Sequence, residues 1–155
     1  ESGHDAAAKA LDSSQEGITA ALNLAHKDAE SFDSVMLAFR MPKSTDDEIK
    51  HRRAAIAQGY LRATQVPMET AESGLELLRS LTSFATNCNA NAITDLAAAA
   101  QLARSSVTIA ALNVRINLAS LGSEEAEHMS NSIENLVSDG ARLANQIGQI
   151  VAGRM

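Results

Sequence analysis

Residues 95–121 read D-L-A-A-A-A-Q-L-A-R-S-S-V-T-I-A-A-L-N-V-R-I-N-L-A-S-L. Leu96, Ala100, Ala103, Val107, Ala111, Val114 and Leu118 recur at steps of three and four, which is one face of an α-helix. Leu102, Ile109, Leu112 and Ile116 form the opposite face. A helix apolar on both sides is normally buried on both sides. The stretch therefore predicts a helix at the centre of the fold, or at the seam between two subunits. Gly122 ends it.

The composition points the same way. Of 155 residues, 45% are hydrophobic but only 3% aromatic, and Gly and Pro number eight and two. Alanine and leucine carry the apolar content, with 29 and 16 residues against 6 valines. Strands favour β-branched and aromatic residues, and their turns consume Gly and Pro, so the mixture argues against a β-rich domain. Ala and Leu lose least on entering a helix. An alanine core buries little area per side chain, which makes an oligomer the expected state.

Outward from the central stretch, four more helices are expected. Leu11, Ile18, Leu22, Ala25, Ala29, Phe32, Met36 and Phe39 form a heptad stripe, predicting one amphipathic helix from about Asp5 to Arg40 that Pro42 terminates. Thr45 and Glu48 make a capping box, with Asp46 and Asp47 in the first turn. Ile49, Ile56, Tyr60 and Ala63 carry that second helix to Val66, where Pro67 kinks it or opens a third. Leu75, Leu77, Leu78 and Leu81 carry the third to about Ala85. Residues 86–91, T-N-C-N-A-N, are rich in turn formers, and Thr94 is the expected cap of the central helix. After Gly122, Ser123 caps a fifth helix with the stripe Ala126, Met129, Ile133, Leu136, Gly140, Leu143, Ile147, Ile150. The expected fold is all-α, a single domain over 1–155: a bundle of about five long helices with a central buried helix, forming a compact dimer.

The net charge of −6 argues against a broad nucleic-acid surface. Lys50-His51-Arg52-Arg53 reads first as a solvated helix face; its functional reading is a patch for a polyanionic tail. A single cysteine, Cys88, rules out an intramolecular disulfide framework. No apolar run reaches membrane-spanning length, and a reducing cytoplasm is the expected compartment. Gly-rich phosphate loops, G-x-S-x-G and C-x-x-C are absent, and the four histidines show no metal-ligand spacing.

Polar residues set against the apolar pattern are the candidate site. Asn113, Arg115 and Asn117 interrupt the two-faced helix, and such groups must find partners. They read either as interhelical hydrogen bonds or as a pocket wall. Asp95 reads as a helix N-terminal acid or as a carboxylate facing a cleft beside the irregular loop that contains Asn91. Asp28 and Asp33 are five apart and point different ways, so they are no paired-carboxylate site. Lys43 follows Pro42 on a rigid turn.

Five segments, in order, resemble the cyclodeaminase/cyclohydrolase family. D-A-E-S-F-D-S-V-M-L-A-F-R-M-P-K (28–43) is similar to its D-x-x-A-F-x-x-V-M-x-A-x-x-L-P-K. T-D-D-E-I-K-H-R-R-A-A-I-A-Q (45–58) is similar to its T-x-E-E helix, and A-T-Q-V-P-M (63–68) to A-x-x-V-P-L. N-A-N-A-I-T-D-L-A-A-A (89–99) is similar to G-N-x-N-x-x-S-D-x-G-V-A, and A-A-L-N-V-R-I-N-L (110–118) to A-A-L-N-V-x-x-N. The resemblance spans about residues 18–122. It departs at Cys88, where the family tends to have Gly, and in the family's opening P-x-P-G-G-G-S segment and alanine-rich first helix, which this chain is expected to lack.

The resemblance implies an all-helical homodimer that acts on a reduced folate. The reaction would convert 5-formiminotetrahydrofolate to 5,10-methenyltetrahydrofolate and ammonia, or hydrolyse 5,10-methenyltetrahydrofolate to 10-formyltetrahydrofolate. Neither reaction calls for a metal or a separate cofactor; the tetrahydrofolate derivative is the substrate. By position, Asp33, Lys43 and Asp95 would serve acid–base or electrostatic roles. Asp28, Asn91, Asn113, Arg115 and Asn117 would bind the substrate, and residues 50–53 would meet a glutamate tail. No nucleic acid or membrane partner is implied. The alternative is a non-catalytic helical interaction module that keeps the fold.

Overall fold

The structure, a computed structural model, describes residues 2–155. The elements are α1 (Ser2–Arg40), α2 (Asp46–Ala85), a 3-10 turn (Ala90–Ala92), α3 (Ile93–Leu118) and α4 (Ser123–Ala152). The Thr45–Glu48 capping box is formed in both directions. Pro42 and Gly122 stand in the two tighter connections. The Asn-rich stretch makes the third, with the Asn89 side chain accepting from the Asn91 N–H.

The chain has four long helices, not five. The second and third expected helices are one 40-residue helix with Pro67 inside it. Proline has no N–H, so the carbonyl four residues back, that of Ala63, loses its helical donor. Asn117 of α3 supplies one: its Nδ2 donates to Ala63 O at 2.8 Å. A neighbouring side chain thus satisfies the bond that the sequence rule assumes lost, and α2 runs through.

That change relocates the centre. α2 packs against α1, α3 and α4, whereas α3 packs against α2 and α4. Only the face of α3 that carries Leu96, Ala100, Ala103, Val107, Ala111 and Val114 is buried. The opposite face is bare: Leu102 is 73% exposed, Ile109 59%, Leu112 52% and Ile116 74%. The central helix of the chain is therefore α2, because a long helix with small residues on several sides can accept three neighbours. Gly74 is one such residue. A Cβ there would lie 2.9 Å from Val107 Cγ2 and 3.3 Å from Ala103 O, so glycine sets how near α3 approaches.

The core runs along the second half of α2. Leu75 and Leu78 meet Val107 and Val114 of α3 and Ile133 and Ile147 of α4, all nearly solvent-free. Ile133, Gly140, Leu143 and Ile147 belong to the expected α4 stripe. Arg154, just past α4, donates to the carbonyls of Ala85 (2.8 Å) and Cys88. It thereby caps the carbonyl end of α2 and ties down the turn into α3. The helix starts differ by a residue or two from expectation. Gly122 rather than Ser123 holds the α4 cap position, and α3 begins at buried Ile93, before Thr94.

The first helix inverts the expected orientation. Ser31, Val35 and Ala38 are buried against α2, with Val35 in contact with Gly59. The heptad stripe instead faces out, with Leu11 59%, Ile18 63%, Leu22 62% and Phe32 63% exposed. Small residues allow the closer helix approach, so the small face wins the packing. At the hairpin tip, Phe39 meets Tyr60 edge-on with ring centroids 6.3 Å apart. The Arg52 guanidinium lies over the Phe39 ring and donates to Phe39 O at 3.2 Å. One member of the basic cluster thus caps α1 instead of facing solvent.

Asn117→Ala leaves Ala63 O without a donor and is expected to cost about 1–3 kcal/mol. Pro67→Ala restores a backbone donor. In the double variant the loss from Asn117→Ala should be markedly smaller, and a denaturant-unfolding mutant cycle measures that coupling.

Candidate active site

α1 and α3 both lie against α2, yet among the described residues they do not pack against each other. Two cross-links fix the register. Lys27 Nζ is 2.9 Å from Glu69 Oε2, and Asn117 meets Ala63. Both pairings are antiparallel, so α1 and α3 flank the same stretch of α2 and run parallel to each other. Between them is a groove of about 900 Å³.

The groove exists because its walls are small. α1 contributes Gly17, Ala20, Ala21 and Ala25; α2 contributes Ser73 and Gly74; α3 contributes Ala99, Ala103, Ser106 and Ala110. Leu24, Leu77, Leu81, Ile18 and Ile109 make the larger apolar contacts. The register places Asp28, Pro67 and Asn113 at one end, with Ser14, Leu81 and Ala99 at the other. Thr70, at the polar end, donates its hydroxyl to Val66 O within α2. Its oxygen keeps a lone pair for an incoming donor. Three carboxyl groups (Glu16, Asp28 and Glu76), an amide and hydroxyls along a slot whose remaining lining is apolar suit a heterocycle that presents donors and acceptors on its edge. A carboxyl group can also take or deliver a proton there.

Of the candidate residues, the structure brings Asp28 and Asn113 together in this groove. Asp33 is exposed on α1, more than a turn beyond Asp28 and off the groove face. Lys43 is exposed in the turn before α2, and Asp95 is exposed just after its other end. A helix of 40 residues is about 60 Å long, so a single chain does not bring Lys43 and Asp95 to one place. Asp95 shares a face of α3 with Ser106 and Asn113, yet lies about 27 Å from Asn113 along the axis at the helical rise. Arg115 forms a two-pronged ion pair with Glu134 of α4, at 2.9 and 3.0 Å. Asn117 is engaged by Ala63, and Asn91 sits exposed in the 3-10 turn. Among the described residues, no group of three or more His, Cys, Asp or Glu side chains is placed to hold a metal ion. No described helix is long and apolar enough to cross a membrane.

Sequence reasoning missed the acids Glu16 and Glu76 and the hydroxyls of Ser14, Thr70, Ser73 and Ser106. Each is a lone polar residue with no local motif. The available signal was the run of small residues at helical spacing, Ala99, Ala103, Ser106 and Ala110, continuing to Asn113.

The sequence profile of the Formiminotransferase-cyclodeaminase family matches residues 2–135. The chain belongs to that family. Over 129 residues it is 32% identical to a methenyltetrahydrofolate cyclohydrolase of Methylorubrum extorquens, an alignment covering 83% of this chain and 62% of that one. Over 96 residues it is 33% identical to the formimidoyltransferase-cyclodeaminase of Rattus norvegicus, covering 62% of this chain and 18% of that one. The crystal structure of a formiminotetrahydrofolate cyclodeaminase from Thermotoga maritima matches with a TM-score of 0.77 at 24% identity, covering 90% of this chain and 66% of that one. That likeness is one of fold. This chain thus spans under two thirds of the length of these family relatives.

Two groove glycines give opposite expectations. Gly74→Ala forces a methyl against Val107 and is expected to cost about 1–3 kcal/mol. An added Cβ at Gly17 has nothing within 4 Å. Gly17→Ala should therefore gain up to about 1 kcal/mol from helix propensity. Thermal and urea unfolding of the two variants check the pair.

Proposed function

We propose that the groove binds a reduced folate carrying a one-carbon unit, and that this family member transforms that unit at the folate ring nitrogens. The observation that carries the reading is the placement of Asp28 and Asn113, distant in sequence, on the two walls at one end of the same groove. Its volume of about 900 Å³ lies within the roughly 300–1,000 Å³ typical of small-molecule sites. Both residues fall in segments that resemble the family, and so does Pro67 between them.

Two reactions suit such a site. In one, water adds to the methenyl carbon of 5,10-methenyltetrahydrofolate, the bond to N5 breaks and 10-formyltetrahydrofolate results. In the other, N10 of 5-formiminotetrahydrofolate attacks the formimino carbon and ammonia leaves. Each needs a proton moved to or from a nitrogen or a water, the role proposed for Asp28, and a donor–acceptor group to orient the pterin, the role proposed for Asn113. Asp33, Lys43 and Asp95 are retained as proposed acid–base or electrostatic groups. They lie outside the groove in one chain, so a homodimer is part of the reading. The longer cyclohydrolase alignment favours hydrolysis as the first activity to assay.

The test uses the full natural chain. Loss of the methenyl chromophore reports hydrolysis, released ammonia reports deamination, and calorimetry reports folate binding. Asp28→Asn is expected to lower kcat/KM by about 10²–10⁴-fold while the fold melts as before. Asn113→Ala should chiefly raise KM. A chain that neither turns over nor binds either folate would sink the proposal in favour of a non-catalytic interaction module.

A further inference from the structure

Asp28 is one of three acids in the groove. Glu16 of α1 and Glu76 of α2 also line it, and among the described lining residues there is no lysine, arginine or histidine. The Lys27–Glu69 ion pair sets the level of these two acids. Glu16 stands eleven residues before Lys27 and Glu76 seven after Glu69. On antiparallel helices that is an offset of four residues, about 6 Å at the helical rise. The two carboxyl groups thus come from two walls to nearly one level. Along α2 that level is nine residues from Pro67, about 14 Å from the end that holds Asp28 and Asn113. Small residues, among them Ala21, Ala25, Ser73 and Gly74, line the stretch between.

Such a lining repels anions and suits a ligand edge built of N–H donors. Arg79 and Arg104, the bases of α2 and α3 at this level, do not line the groove. Arg79 donates to Glu76 Oε2 at 3.3 Å, with both side chains more than half exposed, so it competes weakly with a ligand's donors. A reduced folate carries two unlike ends. Its pterin offers the 2-amino group and N3–H side by side, a pair of donors that one carboxylate accepts together. Its other end is a glutamate, whose carboxylates like charge drives away. The two fused rings of the pterin, with a hydrogen bond of about 2.9 Å at each end and the reach of two acidic side chains, bridge the interval between Asp28 and Glu76.

We propose that Glu16 and Glu76 are orienting residues of the groove: they receive the 2-amino and N3–H edge of the pterin and keep the glutamate tail away from their end. The inference rests on the folate reading and deepens it. The substrate then lies in one direction only. Its pterin fills the stretch between Glu76 and Asp28, its one-carbon centre stands at Asp28 and Asn113, and its tail leaves past Asp28 toward the α1–α2 turn.

Calorimetry on the full natural chain tests the orientation, with Asp28→Asn present throughout so that bound ligand is not turned over. The two probes are 5,10-methenyltetrahydrofolate and its analogue with a methyl group in place of the pterin 2-amino group. The analogue is expected to bind about fivefold or more weakly, the scale of one hydrogen bond. Adding Glu16→Gln and Glu76→Gln should weaken the methenyl compound by a similar factor and abolish the preference between the two probes. Both positions are exposed, so helical circular dichroism should not change. Equal affinity for the two probes before the glutamates are replaced, or a preference that survives their replacement, overturns the inference and leaves the folate reading standing. Tighter binding of the methenyl compound after replacement also overturns it, because the tail then lies against these acids. A chain that binds neither probe, with or without Asp28→Asn, removes the folate reading itself and the orientation with it.

Discussion

One hydrogen bond decides the architecture. Pro67 removes the helical donor of the Ala63 carbonyl, and Asn117 replaces it from α3 at 2.8 Å. A fully buried carbonyl without a partner costs about 1–3 kcal/mol; the half-buried Ala63 carbonyl would lose up to that, which favours a kink or break at that point. With the carbonyl satisfied, α2 is a continuous strut of 40 residues. Every other helix then takes its position from α2: α1 along its length on one side, α3 and α4 on its second half. The same bond fixes the register of α3, which brings Asn113 level with Pro67 and hence with Asp28.

The strut explains why there is a groove at all. α1 is carried by α2 alone among the described helices, and α3 leans on α2 through the notch at Gly74. Among the described residues α1 and α3 do not pack against each other, and alanines, serines and glycines on their facing sides leave the space between them open. The same choice of small residues for close packing leaves the large ones elsewhere. Leu22, Phe32, Leu102 and Ile116 end up outside because the inner contacts were made by Ser31, Ala38, Ala100 and Ala103.

Helix ends were legible in the sequence because they depend on local chemistry. The Thr45–Glu48 box, Pro42, the Asn-rich turn and Gly122 each act within a few residues. Helix number was not, because a local rule about proline was overridden by an amide 50 residues later in the chain. The outward stripe of α1 was misassigned for a related reason. A heptad of large apolar residues shows that a helix has a face that avoids water. It does not show which of two faces meets the helix next door. Ser31, Val35 and Ala38 make a quieter pattern, yet they bury. The candidate site was partly legible: Asp28 and Asn113 stood out as polar residues beside apolar stripes, whereas the hydroxyls of Thr70, Ser73 and Ser106 had no such contrast.

Length along the strut also bears on how the candidate acids and bases can work together. Lys43 and Asp95 sit at opposite ends of α2, and no rotamer change closes tens of ångströms. A proton-transfer step requires groups within hydrogen-bond reach of one another or of a shared substrate atom. Within one chain the groups that face a common space at the polar end of the groove are Asp28, Thr70 and Asn113, so a substrate lying in that space would have to bring the reacting atoms to them. Asn117, one turn past Asn113 on α3, is already spent on holding α2 together. The amide that keeps the helix whole and the amide that faces the groove are thus successive turns of the same helix, so the integrity of α2 and the shape of the polar end depend on a single placement of α3.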